Sequence, residues 1–198
     1  MNIKFIGDET LDKYHRLRFG PTNNPTNWVA IMGYIPFCLD VKEHFKDQDV
    51  SMVEVGSHAG ESSSIMAAFE IFNSITLVDM WDTPLAYNLC KANINKRLKF
   101  MYPDLKVEMI KGDSSEIGKS WDKEIDMVYI DADHSYEGVR KDLDAWIPHV
   151  KSGGIVSGHD YAKCKMFEGL IKAVDETVND LGVELKTYPE GSWLFIKP

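Results

Sequence analysis

The chain has 198 residues, 44% of them hydrophobic and 11% aromatic, which is enough to build the core of one domain. A formal charge of −9 and a pI near 5.1 set its field against nucleic-acid backbones and anionic lipid surfaces, leaving a small molecule or a protein surface as the expected partner. Cys38, Cys90 and Cys164 are odd in number, widely spaced and in no CxxC arrangement, which argues against a disulfide framework or a structural zinc site and fits a reducing cytoplasm.

The opening MNIKFIGDETLDKYHRLRFG has neither a basic-then-apolar leader nor an uncharged run long enough to span a bilayer, so neither secretion nor membrane insertion is expected. PTNNPTNW is a loop by composition. WVAIMGYIPFCLDVKEHF has the length and apolar weight of a helix, and Pro36 predicts that it is broken or kinked. Residues 1–49 are therefore expected to form a helical and loop segment, serving as a lid, a dimer contact or both, with a homo-oligomer left open.

From Val50 the pattern changes. VSMVEVG, ESSSIMAAFEIF, SITLVD, a helical stretch from Leu85 to Phe100, KVEMIKGD, IDMVYID and YEGVRKDLDAWIPHV alternate strand-like and helix-like runs. Strands apolar on both faces predict a mostly parallel sheet covered by helices on each side. In the last helix Val139, Leu143, Trp146, Ile147 and Val150 share one face, and Glu137 stands four before Lys141; Pro148 and then Ser152–Gly153–Gly154 are read as its end. GVELKTYP and SWLFIKP, joined at Pro189–Glu190–Gly191, read as an antiparallel hairpin closing a seven-stranded mixed sheet over residues 50–198.

In such a sheet ligands bind beyond the carboxyl ends of the strands. The first strand delivers VEVGSHAGESS, in which Gly56 and Gly60 bracket a turn into a helix, allowing a tight turn and close approach of a ligand to backbone N–H groups. The spacing is GxxxG rather than GxGxxG, and Glu54 precedes it; that carboxylate would oppose a pyrophosphate but suit a cationic or zwitterionic cofactor. The second strand ends in Asp79, nineteen residues after Gly60, where an acid binding ribose hydroxyls is expected. The third ends in Gly112–Asp113–Ser114, where Asp113 could accept from an adenine amine. The three strand ends describe an adenosine without phosphates.

These motifs resemble those of the class I S-adenosylmethionine-dependent methyltransferases, over about residues 50–198. The resemblance implies an α/β, Rossmann-like, doubly wound sheet and cofactor contacts at Glu54, Gly56, Ser57, Gly60, Ser62, Asp79, Met80, Asp113, Ser114 and Asp131. DADHSYEG, a helix, SGG and IVSGHDY further resemble the small O-methyltransferases of the macrocin and mycinamicin type and the cephalosporin-hydroxylase-like proteins. That likeness implies Asp131 as a metal ligand, His134 as general base, and Asp160 with His159 completing the metal site, where His159 departs from the acidic pair of that group. The implied reaction is methylation of a hydroxyl on a small molecule such as a sugar or glycosylated metabolite, assisted by a divalent cation, Mg²⁺ or Mn²⁺.

Other readings of single residues stay open. Asp133 and Ser135 are both candidates to cap the helix starting near Tyr136, and His159 could orient Asp160 rather than ligate. His58 is read as structural, and His15, His44 and His149 as ordinary surface histidines. Trp28, Tyr34 and Trp81 could stack on a sugar or belong to the core. A nicotinamide-dependent oxidoreductase and a non-catalytic adenosine-cofactor-binding protein are the competing functions, since one architecture hosts many activities.

Overall fold

A computed structural model describes residues 26–46, 48–99 and 102–198, the side chains of 26–33, 96 and 97 excepted. Strand β4 (Ile125–Ile130) is buried at all six positions and β1 (Val50–Val55) at five of its six, as strands covered on both faces must be. They lie side by side in a seven-stranded sheet with β2 (Phe72–Asp79), β3 (Lys106–Lys111), β5 (Val150–Gly158), β6 (Lys186–Thr187) and β7 (Trp193–Ile196), in the order β3-β2-β1-β4-β5-β7-β6. The first five pair in parallel, and β7 runs antiparallel to both β5 and β6. The mixed α/β sheet and closing hairpin read from the sequence are thus present, with β6 reduced to two residues.

The two sheet faces alternate residue by residue. Met52, Ile75, Met127 and Tyr129 pack under α1 (Thr26–His44), α2 (Glu61–Ala67) and α3 (Pro84–Asn93), the last extended by a π-helical turn at Ile94–Lys99. Val53, Val78, Val128 and Val156 pack under α5 (Tyr136–Trp146) and α6 (Glu168–Leu181), while α4 (Ser114–Lys119) flanks them with Ile117.

Pro36 does not break α1, which runs as one element through it. The proline is exposed, so the carbonyl it deprives of a helical donor can be hydrated. The second half of α1 is built into the core through Phe37, Cys38 and Val41; residues 1–25, the rest of the expected lid or dimer segment, lie outside the described residues. The end of α5 also differs from expectation. The helix stops at Trp146, a 3-10 turn carries Pro148, and Ser152–Gly153–Gly154 lie inside β5. Among the described residues no helix is long and apolar enough to cross a membrane.

Strand order reverses between β1 and β4, which diverge into helices on opposite faces. The ligand crevice belongs at that point, and Val55 and Ile130, partners in register, aim the chain into it as Gly56 and Asp131.

Candidate active site

The loop after β1 is shaped by its own neighbours. Gly56 has φ +86, and a Cβ there would lie 2.1 Å from the Asp131 carbonyl oxygen, so the crossing of the β1 and β4 ends leaves room for no side chain. Gly60, at φ +71, precedes α2 and faces Ile94 and Cys90. Glu54 is fully buried behind this loop and accepts hydrogen bonds from the Ser62 and Ser63 hydroxyls, while the Ser57 hydroxyl donates to the Glu54 carbonyl. Burial pushes the Glu54 carboxyl up to about 7, against those serine bonds. The acid expected beside the cofactor joins β1 to α2 through the Ser62 and Ser63 hydroxyls, while Ser57 folds the loop back onto the Glu54 backbone.

Beyond the strand ends opens a cleft of about 520 Å³. Asp79, Asp82, Asp113, Asp131, Asp133 and Asp142 line it, and Lys141 is the one lysine or arginine among its described lining residues. Such a wall repels a pyrophosphate and attracts a cationic ligand.

Asp79 spreads its carboxylate between two backbone donors, His58 N at 2.8 Å and Trp81 N at 2.6 Å. It therefore ties the glycine loop to the turn after β2. Trp81, a candidate stacking surface, is buried, and its Nε1 donates to the His58 carbonyl. His58 itself sits at φ +41 beside the cleft. Met80 is exposed and faces the cleft. Asp113 caps α4, accepting from Glu116 N at 3.1 Å and Ser115 Oγ at 2.7 Å on one oxygen. The Ser115 hydroxyl first, then Glu116 N, holds its carboxyl below the usual range. Ser114 donates to Asp142, a residue the sequence reading missed. A signal was available: Asp142 lies three after Val139 and four before Trp146, both fully buried, so helical geometry turns it inward.

Asp131 links this cleft to a second group. Among the described residues, one ligand atom each from Asp131, His134 and Asp160 lie within 4.8 Å of one another. His134 Nε2 is 2.7 Å from Asp160 Oδ2 and 3.9 Å from Asp131 Oδ1, yet it makes no directed hydrogen bond. Asp131 foremost, then the Asp160 charge, raise the His134 imidazole above its ordinary value despite partial burial. Asp160 has φ +63, an uncommon conformation for a non-glycine residue. Its carboxyl is lowered by both imidazoles against the opposing effect of burial.

His159, expected among the metal ligands, stands one step back. Its Nδ1 lies 3.1 Å from Asp160 Oδ1 and its ring stacks on Tyr34 at 5.4 Å; burial opposes its charge, but Asp160 and Asp131 raise it overall. In this geometry it orients Asp160. Phe167, ending a 3-10 turn at Lys165–Phe167 after Tyr161, packs edge-on against His134 at 5.3 Å. Tyr34 is core, bonded by the Tyr129 hydroxyl at 3.1 Å. The side chain of Trp28, and His15 altogether, lie outside the described residues.

Asp133, read as a helix cap, is not the N-cap of α5. Ser135 holds that place, accepting from Gly138 N at 3.1 Å, and Asp133 binds Ser135 in turn through its N at 2.8 Å and Oγ at 2.9 Å. His44 and His149 each reach a backbone carbonyl, of Gly153 at 2.7 Å and Gly118 at 2.8 Å; the first pins α1 to β5 and the second pins the 3-10 turn to α4.

A family profile described as "Methyltransferase domain" matches residues 53–161, the span from β1 through Asp160. The chain belongs to this methyltransferase family. A relative, an uncharacterized protein of Acanthamoeba polyphaga mimivirus, is 27% identical over 143 residues, 69% of this chain; the chain spans about 63% of that relative's length. Solved structures share the fold. A TDP-rhamnose 3'-O-methyltransferase of calicheamicin biosynthesis superposes with TM-score 0.62 at 18% identity, covering 96% of this chain and 94% of its own. A Podospora anserina methyltransferase bound to S-adenosylhomocysteine gives 0.65 at 12%, covering 96% and 88%.

Proposed function

We propose that the protein transfers the methyl group of S-adenosylmethionine to a hydroxyl of a small molecule such as a sugar or glycosylated metabolite. The observation that carries this reading is that Asp131 belongs both to the acid-lined cleft and to the group formed with His134 and Asp160. A cofactor in the cleft and a hydroxyl at His134 would then be neighbours. The acid wall favours a sulfonium and an ammonium over a nicotinamide dinucleotide, whose pyrophosphate would face six carboxylates and one lysine.

The transfer is an in-line displacement: the acceptor oxygen bonds to the methyl carbon as the carbon–sulfur bond breaks and the sulfur leaves as a neutral thioether. The hydroxyl must lose its proton, and His134, whose Nε2 lies 2.7 Å from Asp160 Oδ2, would take it as general base. Asp131 and Asp160 stabilise the imidazolium that results, and His159 fixes Asp160.

The residues also fit a divalent cation, because three ligand atoms converge and one of them lacks a directed bond. Asp131 and Asp160 would hold it, and when bound it would supply Lewis acidity toward the acceptor hydroxyl. Carboxylates alone suit Mg²⁺, and an imidazole beside them admits Mn²⁺. Incubation with methyl-labelled S-adenosylmethionine and a panel of hydroxylated acceptors, sugar nucleotides included, tests the reading. Label is expected in an oxygen-linked methyl; transfer only to nitrogen, sulfur or carbon acceptors would overturn it.

A further inference from the structure

Asp142 is only 3% exposed, yet it is part of the cleft wall. The Ser114 hydroxyl donates to its Oδ1, joining α5 to the start of α4. Among the described residues no donor takes Oδ2 and no cation pairs with the carboxylate. Burial, opposed by the serine bond and reinforced by Asp113 and Asp133, pushes the carboxyl up to about 6. An asparagine could accept the Ser114 hydroxyl without burying a charge, so the bond to Ser114 does not account for an acid here.

Its place along the cleft indicates what the acid meets. Asp79 ends β2, where ribose hydroxyls would lie, and the next strand end is Gly112–Asp113–Ser114. A base attached to that ribose would enter between the β3 end and the first half of α5, with Val78 and Ala132 on its faces. Asp142 stands at that end, its second oxygen unengaged.

We infer that Asp142 is a specificity-determining residue that accepts a hydrogen bond from the exocyclic amine of a 6-aminopurine bound in the cleft. This rests on the reading that the cofactor is an adenosyl compound. A purine carrying a carbonyl at the same position would present an acceptor to the carboxylate and be rejected, as sites built around one hydrogen-bond pattern reject its inverse.

The test compares S-adenosylhomocysteine with S-inosylhomocysteine by calorimetry at pH 8, where the carboxyl is ionised. The wild type should prefer the adenosyl compound by about tenfold or more. D142A should lose most of that preference. D142N keeps the shape and the Ser114 bond, and can turn its amide N–H toward the inosyl carbonyl; it should narrow the preference chiefly by gaining inosyl affinity. If both variants weaken both ligands equally and leave the ratio unchanged, Asp142 merely supports α4 and the inference is overturned. If the wild type binds neither compound, the cofactor reading fails first, and this inference with it.

Discussion

Asp160 Oδ2 lies 2.7 Å from His134 Nε2, and Asp160 holds this position from a left-handed backbone at φ +63. The two residues come from different strand ends, β5 and β4, and meet where Asp131 opens onto the cleft. Strained conformations of this kind persist only when their surroundings impose them. Here they are imposed by Tyr161 N donating to the Gly191 carbonyl at 2.8 Å and by His159 N donating to the Ile130 carbonyl at 3.2 Å. Asp160 is thus held by backbone contacts on either side of it, independently of His134.

If His134 is the base, H134A should lower turnover by about two to four decades while leaving S-adenosylhomocysteine affinity within about twofold of wild type. Turnover and binding are measured on the same preparation. Retained turnover with only a lower melting temperature would make His134 a structural residue.

Metal binding separates the two histidines. In Mn²⁺ titrations, D131N and D160N should abolish binding, whereas H159A should weaken it only modestly, because His159 acts through Asp160. H134A should keep Mn²⁺ if His134 serves as base and lose it if the imidazole is a ligand. Undiminished binding in D160N would remove the metal from this site.

Glu54 should give the fold a specific pH dependence. Its carboxyl stands at about 7 in the folded chain against 4.5 ordinarily. Its contribution is therefore fully present below about 4.5 and lost as pH rises through about 7, where the buried carboxyl must ionise. E54Q should gain stability relative to wild type at pH 8 and not at pH 4.5, read from urea midpoints at the two values. An equal difference at both would show that Glu54 does not titrate in this range.

At Gly56 the constraint is steric. G56A must accommodate both φ +86 and a Cβ 2.1 Å from the Asp131 carbonyl oxygen, so a loss of about 2–4 kcal/mol is expected, with displacement of Asp131 and weaker cofactor binding. Denaturant melts and calorimetry check both; wild-type stability would mean that the loop relaxes freely.

What the sequence made legible follows from distance along the chain. Strand ends announce themselves locally, so Asp79, Asp113 and Asp131 could be placed at the crevice from β-branched runs and the glycine and aspartate that end them, whereas Asp160 was reached only through the family resemblance of IVSGHDY. The closing hairpin was readable from turn chemistry in the same way. Contacts between distant segments were not. Gly56 is required by Asp131, seventy-five residues on, rather than by a ligand, and Glu54 turns away from the cleft to serines of the following helix. The spacing HDY could not say which of His134 and His159 would face Asp131, because that depends on Tyr34 stacking on His159 from α1. Asp142 was hidden for another reason: helical periodicity shows an inward acid but not whether it points at a core or a cleft.

The central claim is that the cleft binds an adenosyl sulfonium cofactor. Calorimetric titration of the purified protein with S-adenosylhomocysteine, with NADH titrated in parallel, tests it most directly. Saturable one-to-one binding of the first, with no heat from the second, is the predicted result. No binding of S-adenosylhomocysteine at millimolar concentration, or tighter binding of NADH, would contradict it.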